Sequence, residues 1–161
     1  MITNDILRRI RYALQLNDKK MLEIFASVDN AIDEKYLHSI MAKEGEENFV
    51  FCRDSLLSLF LDGLINEKRG KKEGSSPIIL PAKEVLVNND ILRKLRIALN
   101  FKEEDMLAAL DSAEFPVSKS ELSALFRKKD HRNYKVCGDQ LLRNFLNGIT
   151  KRFRGTAGEE A

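Results

Sequence analysis

Cysteine is scarce in this chain. Two in 161 residues are too few for a disulfide-stapled scaffold, so a reducing cytosol is the expected setting. No stretch approaches the roughly 18 uncharged apolar residues of a membrane-spanning helix. The first residues, Met1 to Leu14, carry Asp5, Arg8, Arg9 and Arg11 and lack the apolar core of a secretion signal. Net charge is nearly absent too, at +2 from 27 basic and 25 acidic side chains, which excludes neither a nucleic-acid nor a protein partner. The short motifs that carry chemistry are also missing. There is no phosphate loop ending in lysine, no dinucleotide turn, no HExxH, no CxxC and no GxSxG. Two histidines and two distant cysteines make a metal site only by a coincidence of folding, so neither metal nor cofactor is expected. With 43% hydrophobic and 32% charged residues, the chain is too apolar for a disordered tail and too evenly charged for a membrane protein. A folded, soluble, cytoplasmic protein is the expectation.

What the chain does contain is a copy of itself. Asn4-Asp5-Ile6-Leu7-Arg8 returns 85 positions later as Asn89-Asp90-Ile91-Leu92-Arg93. Held without a gap, that offset pairs residues 4–65 with 89–150, and 21 of the 62 positions are identical. This is a tandem duplication. Positions kept in both copies are mostly those that both need in order to fold. Positions that differ are where the copies can have separate jobs.

Each copy reads as about four short helices, and no alternating β-branched run competes with them. The first covers about Asn4 to Gln15, with Ile6, Leu7, Ile10, Ala13 and Leu14 on one face and Asn4 or Thr3 as N-cap. The second covers about Asp18 to Val28. The third starts at Asp33, and its counterpart opens on the capping box Ser118-Lys119-Ser120-Glu121. The fourth covers about Asp54 to Glu67. The predicted fold is all-α, two such units in a pseudo-two-fold arrangement: repeats at 1–67 and 89–154, a linker at 68–88 and a disordered tail at 155–161. Within the linker, Arg69 to Pro77 is charged and Gly/Ser-rich and predicts a mobile segment, whereas Ile78-Ile79-Leu80-Pro81 predicts an extended strip packed on a repeat.

Three sets of residues are candidates for function. Cys52, Asp54, Leu56, Leu57, Phe60, Leu61 and Gly63 recur as Cys137, Asp139, Leu141, Leu142, Phe145, Leu146 and Gly148. A thiol just before a helix can be acidic and nucleophilic, but no histidine lies near either cysteine in sequence, and packing is the preferred role. Asp54 and Asp139 suit an N-cap or first turn; Gly63 and Gly148 suit close helix contact or a helix end. The second set is Arg8, Arg11, Arg93 and Arg96, an anion-binding edge of the first helices, or else arginines paired within the molecule, which is the favoured reading. The third is a charge contrast. Glu44-Gly45-Glu46-Glu47 aligns with Lys129-Asp130-His131-Arg132, and Arg127 and Lys128 precede the basic version. The first copy is net acidic and the second net basic, so these loops can face each other or an external partner. Basic clusters at Lys68, Arg69, Lys71 and Lys72, and at Lys151, Arg152 and Arg154, also suit helix C-termini.

The repeated pattern, NDILR--R-AL at each start and C-D-LL--FL-G at each end, resembles the YehS-like family of duplicated bacterial domains of unknown function. Lys68-Arg69-Gly70-Lys71 and Asp130-His131-x-Asn133 continue the likeness into the linker and the second copy. The resemblance implies a bacterial cytoplasmic protein and brings no activity, ligand or catalytic residue. The expected function is a non-enzymatic helical binding module for protein or nucleic acid, with a self-associating scaffold as alternative and a cysteine-dependent enzyme behind both. A helix-turn-helix version would use Asp29 to Ile32 as the turn and place Lys119, Arg127, Lys128 and Lys129 on the third helix of copy two.

Overall fold

Ile6, Leu7, Ile10 and Ala13 recur at intervals of three and four residues, which puts them on one stripe of a helix that must be covered. In a computed structural model, described for residues 1–70 and 85–155, four helices of the first copy do the covering. They are α1 (Thr3–Leu14), α2 (Asp18–Ala26), α3 (Glu34–Met41) and α4 (Asp54–Arg69). The second copy repeats them as α5 (Asn88–Leu99), α6 (Glu103–Ser112), α7 (Lys119–Leu125) and α8 (Asp139–Arg154). No strand occurs among the described residues. The chain divides into two units, Met1–Leu86 and Val87–Ala161. The expected strip at Ile78 to Pro81 and the tail beyond Gly155 lie outside the described residues.

Helix starts follow local chemistry. Asn17 caps α2 by accepting from Lys20 N at 2.8 Å, and Asp33 caps α3 by accepting from Tyr36 N at 2.7 Å. Ser118 and Glu121 form the expected capping box of α7. Helix ends are matched between copies. Gln15 and Asn100 take left-handed conformations with φ of 55° and 56°, which lets Leu16 N and Phe101 N reach back to Arg11 O and Arg96 O at 3.0 Å. Asp29 and Glu114 do the same after α2 and α6, so α2 stops at Ala26, short of the expected Val28. The fourth helix runs on past Glu67 to Arg69 before Gly70, at φ 85°, turns the chain out.

Each unit has its own core. Phe25 and Phe60 meet with ring centroids 5.3 Å apart in the first, and Phe101 meets Phe145 edge-on at 6.4 Å in the second. The closest helix pairs are α2 with α4 and α6 with α8, and glycine sets their approach. A Cβ at Gly63 would lie 2.8 Å from Ile24 Cγ2 and closer still to Ile24 O. A Cβ at Gly148 would lie 2.6 Å from the carbonyl carbon of Ala109 and closer still to its oxygen. Both glycines therefore sit inside their helices as contact points, and neither ends one.

Three expectations are corrected here. Asn4 does not cap the first helix: Ile2 occupies that position, with Asp5 accepting from Ile2 N at 3.1 Å, while Asn4 is completely buried. The third helix of copy two ends at Leu125, so Arg127, Lys128 and Lys129 lie in the loop that follows it. Nor is there a short turn at Asp29 to Ile32: α2 and α3 are separated by residues 27–33.

Candidate partner-binding loops

The buried Asn4 places the first candidate loop, between α3 and α4. Its side-chain nitrogen donates to Ile40 O and Val50 O, both at 2.9 Å, and its oxygen accepts from Cys52 N at 3.0 Å. One side chain thus ties the start of α1 to the end of α3 and to the strip of backbone that leads into α4. Asn89 repeats this with Leu125 O at 3.0 Å, Lys135 O at 2.8 Å and Cys137 N at 2.9 Å. An amide is suited to the task because it offers two donors and an acceptor without charge. The loops inside the two clamps share their backbone hydrogen bonds. Glu46 N donates to Lys43 O, Phe49 N to Glu46 O and Val50 N to Ser39 O, each at 3.1 Å. His131 N, Tyr134 N and Lys135 N donate to Lys128 O, His131 O and Ala124 O at 2.9, 3.0 and 3.0 Å.

On these matched frames the exposed side chains diverge. Loop one shows Glu44, Glu46 and Glu47 beside a single Lys43. Loop two shows Lys128, Lys129 and Arg132 with Asp130, and half-exposed Arg127 donates to Asn133 O at 3.3 Å. Next to each run of charge lies apolar surface: Phe51 is 51% exposed and its counterpart Val136 is 71% exposed, with Val50 at 40% beside Phe51. Lys135 also belongs to the second loop, but its ammonium is 3.1 Å from Glu121, whose carboxyl it holds below the usual range.

The four arginines of the first helices are engaged inside their own copies. Arg8 meets Asp5 and donates to Ala42 O at 2.8 Å; Arg93 donates to Phe126 O at 3.3 Å. Arg11 and Arg96 donate their Nε to Leu16 O at 3.0 Å and Phe101 O at 3.3 Å, capping the end of their own helices. Arg11 also pairs with Asp18, and Arg96 stacks 4.7 Å above the Phe126 ring. The basic ends of the long helices are partly used in the same way, since Arg152 meets Asp105 at 3.1 Å and stacks 4.6 Å from Phe101.

Asp54 and Asp139 open α4 and α8, each in the first turn. Their side chains hold different neighbours: Asp54 accepts from Leu86 N at 2.8 Å, and Asp139 from the Asn88 side chain at 2.7 Å. Cys52 and Cys137 are buried and free, 0% and 2% exposed. Burial, with Asp54 close by, pushes the Cys52 thiol up to about 12; burial and Asp139 push Cys137 up to about 11. Helix N-terminal activation is thus outweighed by desolvation, and both thiols pack. We expect neither to react with an aromatic disulfide reagent at neutral pH in the folded protein, and both to react once guanidinium unfolds it. Labelling of the native chain within minutes would overturn this.

One cluster with metal-ligating chemistry escaped sequence reasoning. Asp18, Glu34 and His38 bring ligand atoms within 4.8 Å of one another, with His38 Nε2 2.8 Å from Asp18. His38, then Arg11, hold the Asp18 carboxyl below the ordinary carboxylate range. Arg11 already supplies positive charge there, and the second copy has Glu103, Lys119 and Ser123 in these places, so the cluster belongs to the first copy alone. The Asn4 and Asn89 clamps were missed as well. The available signal was that asparagine is kept twice where any small polar residue would cap a helix.

No helix among the described residues is long and apolar enough to cross a membrane. No solved structure matches the chain. A family model described as "Protein of unknown function (DUF1456)" matches residues 3–70 and again 88–155, one match for each copy. The chain is 44% identical over 152 residues to the uncharacterized protein YehS of Escherichia coli (strain K12), covering 94% of this chain and 96% of that one. Two family matches in register with the duplication, together with this identity over nearly full length, place the chain in the DUF1456 family, alongside YehS.

Proposed function

We propose that this protein is a non-enzymatic cytoplasmic binding module whose recognition surfaces are the two clamped loops, with protein as the partner class. The observation that carries the reading is the contrast between frame and surface. Both copies hold the loop with the same buried asparagine and the same turn bonds, yet display opposite charge on it. A hidden frame kept twice beneath a divergent exposed surface is what two separate recognition tasks would leave behind. Phe51, Val50 and Val136 favour protein over nucleic acid, because apolar residues beside charge supply the desolvated centre and polar rim of a protein interface. A groove-reading helix has little support, since α7 is seven residues long and the loop cations lie beyond its end.

The test uses anionic probes for the basic loop. A labelled acidic peptide with one central phenylalanine should bind at about 50 mM salt and be lost at high salt, as charge screening requires. The triple variant K128E/K129E/R132E should bind it at least about tenfold more weakly. These three side chains are exposed and outside the clamp, so the variant should keep its helicity by circular dichroism. A mixed-sequence DNA duplex of about 20 base pairs should give no shift at the same salt. Equal peptide binding by wild type and variant, or none by either, would end the proposal; a salt-dependent duplex shift lost in the variant would replace protein with nucleic acid.

A further inference from the structure

We infer that one partner of these loops is a second copy of this chain, the acidic loop of one molecule seating against the basic loop of another. The inference rests on the reading of the loops as recognition surfaces and adds the occupant. Three observations carry it. First, charge is reversed at two aligned positions of the duplication: Glu44 and Glu47 stand where the second copy has Lys129 and Arg132. Second, each charged run is followed within four residues by exposed apolar side chains, Val50 and Phe51 on one loop and Val136 on the other, so each loop carries both charge and apolar area to desolvate. Third, each loop is held at its ends, since one buried asparagine bonds the last turn of the helix before it and the two residues that close it, so little ordering entropy is lost when the loops meet.

Both halves of the contact are on every chain. In a pair related by a two-fold axis, a contact of loop one with loop two is repeated by symmetry as loop two with loop one. Making two such contacts at once strengthens a pair that would be weak singly.

The test is solution mass at tens of micromolar protein, by sedimentation or light scattering. The chain mass is 18.4 kDa; at low salt we expect twice that, falling to the single chain near 1 M salt, where charges are screened within about 3 Å. Two variants make the readout specific. K128E/K129E/R132E carries acid on both loops, and E44K/E47K carries base on both; Glu46 is left alone because its carboxylate accepts from Lys43 N at 2.9 Å. Each variant alone should be monomeric. Mixed in equal amounts they should pair, since every loop of one then meets an opposite loop of the other. An excess of the acidic peptide should dissociate the wild-type pair.

A wild-type chain that stays monomeric at low salt overturns the inference, as does a dimer that both variants retain or a mixture that fails to pair. A monomer that still binds the acidic peptide sinks self-pairing alone and leaves the loops as recognition surfaces. A monomer that binds no peptide sinks both.

Discussion

Replacing Gly148 with alanine is expected to destabilise the protein by about 3 kcal/mol, and Gly63 by about 2 to 3 kcal/mol. The sign is the informative part. In an open helix, alanine for glycine is favourable by about 1 kcal/mol, because glycine loses more backbone freedom on folding. Here the new methyl group would be driven into a backbone carbonyl of the facing helix, Ala109 at position 148 and Ile24 at position 63. A flexible side chain can swing away from such an intrusion, whereas a peptide group inside a helix moves only if its helix moves. The α6–α8 and α2–α4 pairs would have to separate, thinning the packing around Phe145 and Phe60, both fully buried. Gly138 is the internal control. A Cβ there meets nothing within 4 Å, and the first copy has Arg53 at that place, so Gly138→Arg should stay within about 1 kcal/mol of wild type. Urea unfolding of the three variants checks this, and a neutral or stabilised Gly148→Ala would overturn the close-contact reading.

Removing either asparagine clamp is expected to cost about as much. Asn89→Leu leaves Leu125 O, Lys135 O and Cys137 N without their partner, for roughly 3 kcal/mol in all. Asn4→Leu should match it through Ile40 O, Val50 O and Cys52 N. Aspartate makes the sharper test. It keeps the shape and the acceptor but aims a buried negative charge at two carbonyl oxygens, so Asn89→Asp should be worse than leucine at neutral pH. Its carboxyl would titrate higher in the folded protein than unfolded, so folding would favour the protonated form. The deficit should therefore shrink as pH falls toward about 4, where a protonated carboxyl can donate to one carbonyl. Denaturant midpoints against pH would show this, and a pH-independent deficit would mean that the side chain does not face those oxygens.

The architecture was legible in the sequence because periodicity and repetition are both linear properties. Ile6, Leu7, Ile10 and Ala13 announce a helix stripe by spacing alone, and Ser118 with Glu121 announces a helix start. The candidate surface was legible only as a difference between Glu44–Glu47 and Lys129–Arg132. Its frame was not, because the clamp joins Asn4 to Val50 and Cys52 across more than forty residues, and no local pattern encodes a long-range hydrogen bond. Local chemistry also misassigned Asn4: asparagine before an apolar run is a good N-cap, and the burial that overrides this comes from tertiary packing. The same holds for Arg127, where helical propensity runs on past Leu125 but the chain turns so that Lys135 N can reach Ala124 O at 3.0 Å. At each cysteine, burial outweighs the helix terminus that follows it.

The clamp has an evolutionary consequence. Because Asn4 and Asn89 grip backbone atoms, the frame does not run through the side chains of Glu44, Glu47, Lys129 and Arg132, whereas Glu46 and His131 still accept from Lys43 N and Asn133 N. A duplicated gene can then rewrite positions 44 and 47, or 129 and 132, one codon at a time without passing through unfolded intermediates. Each loop behaves as an interchangeable cassette. Gly45, held at φ 92°, and Glu46, which accepts from Lys43 N, resist free exchange with their counterparts Asp130 and His131. Specialisation after duplication would here have been a matter of repainting rather than rebuilding, and the same property makes the loops natural acceptors for grafted recognition sequences.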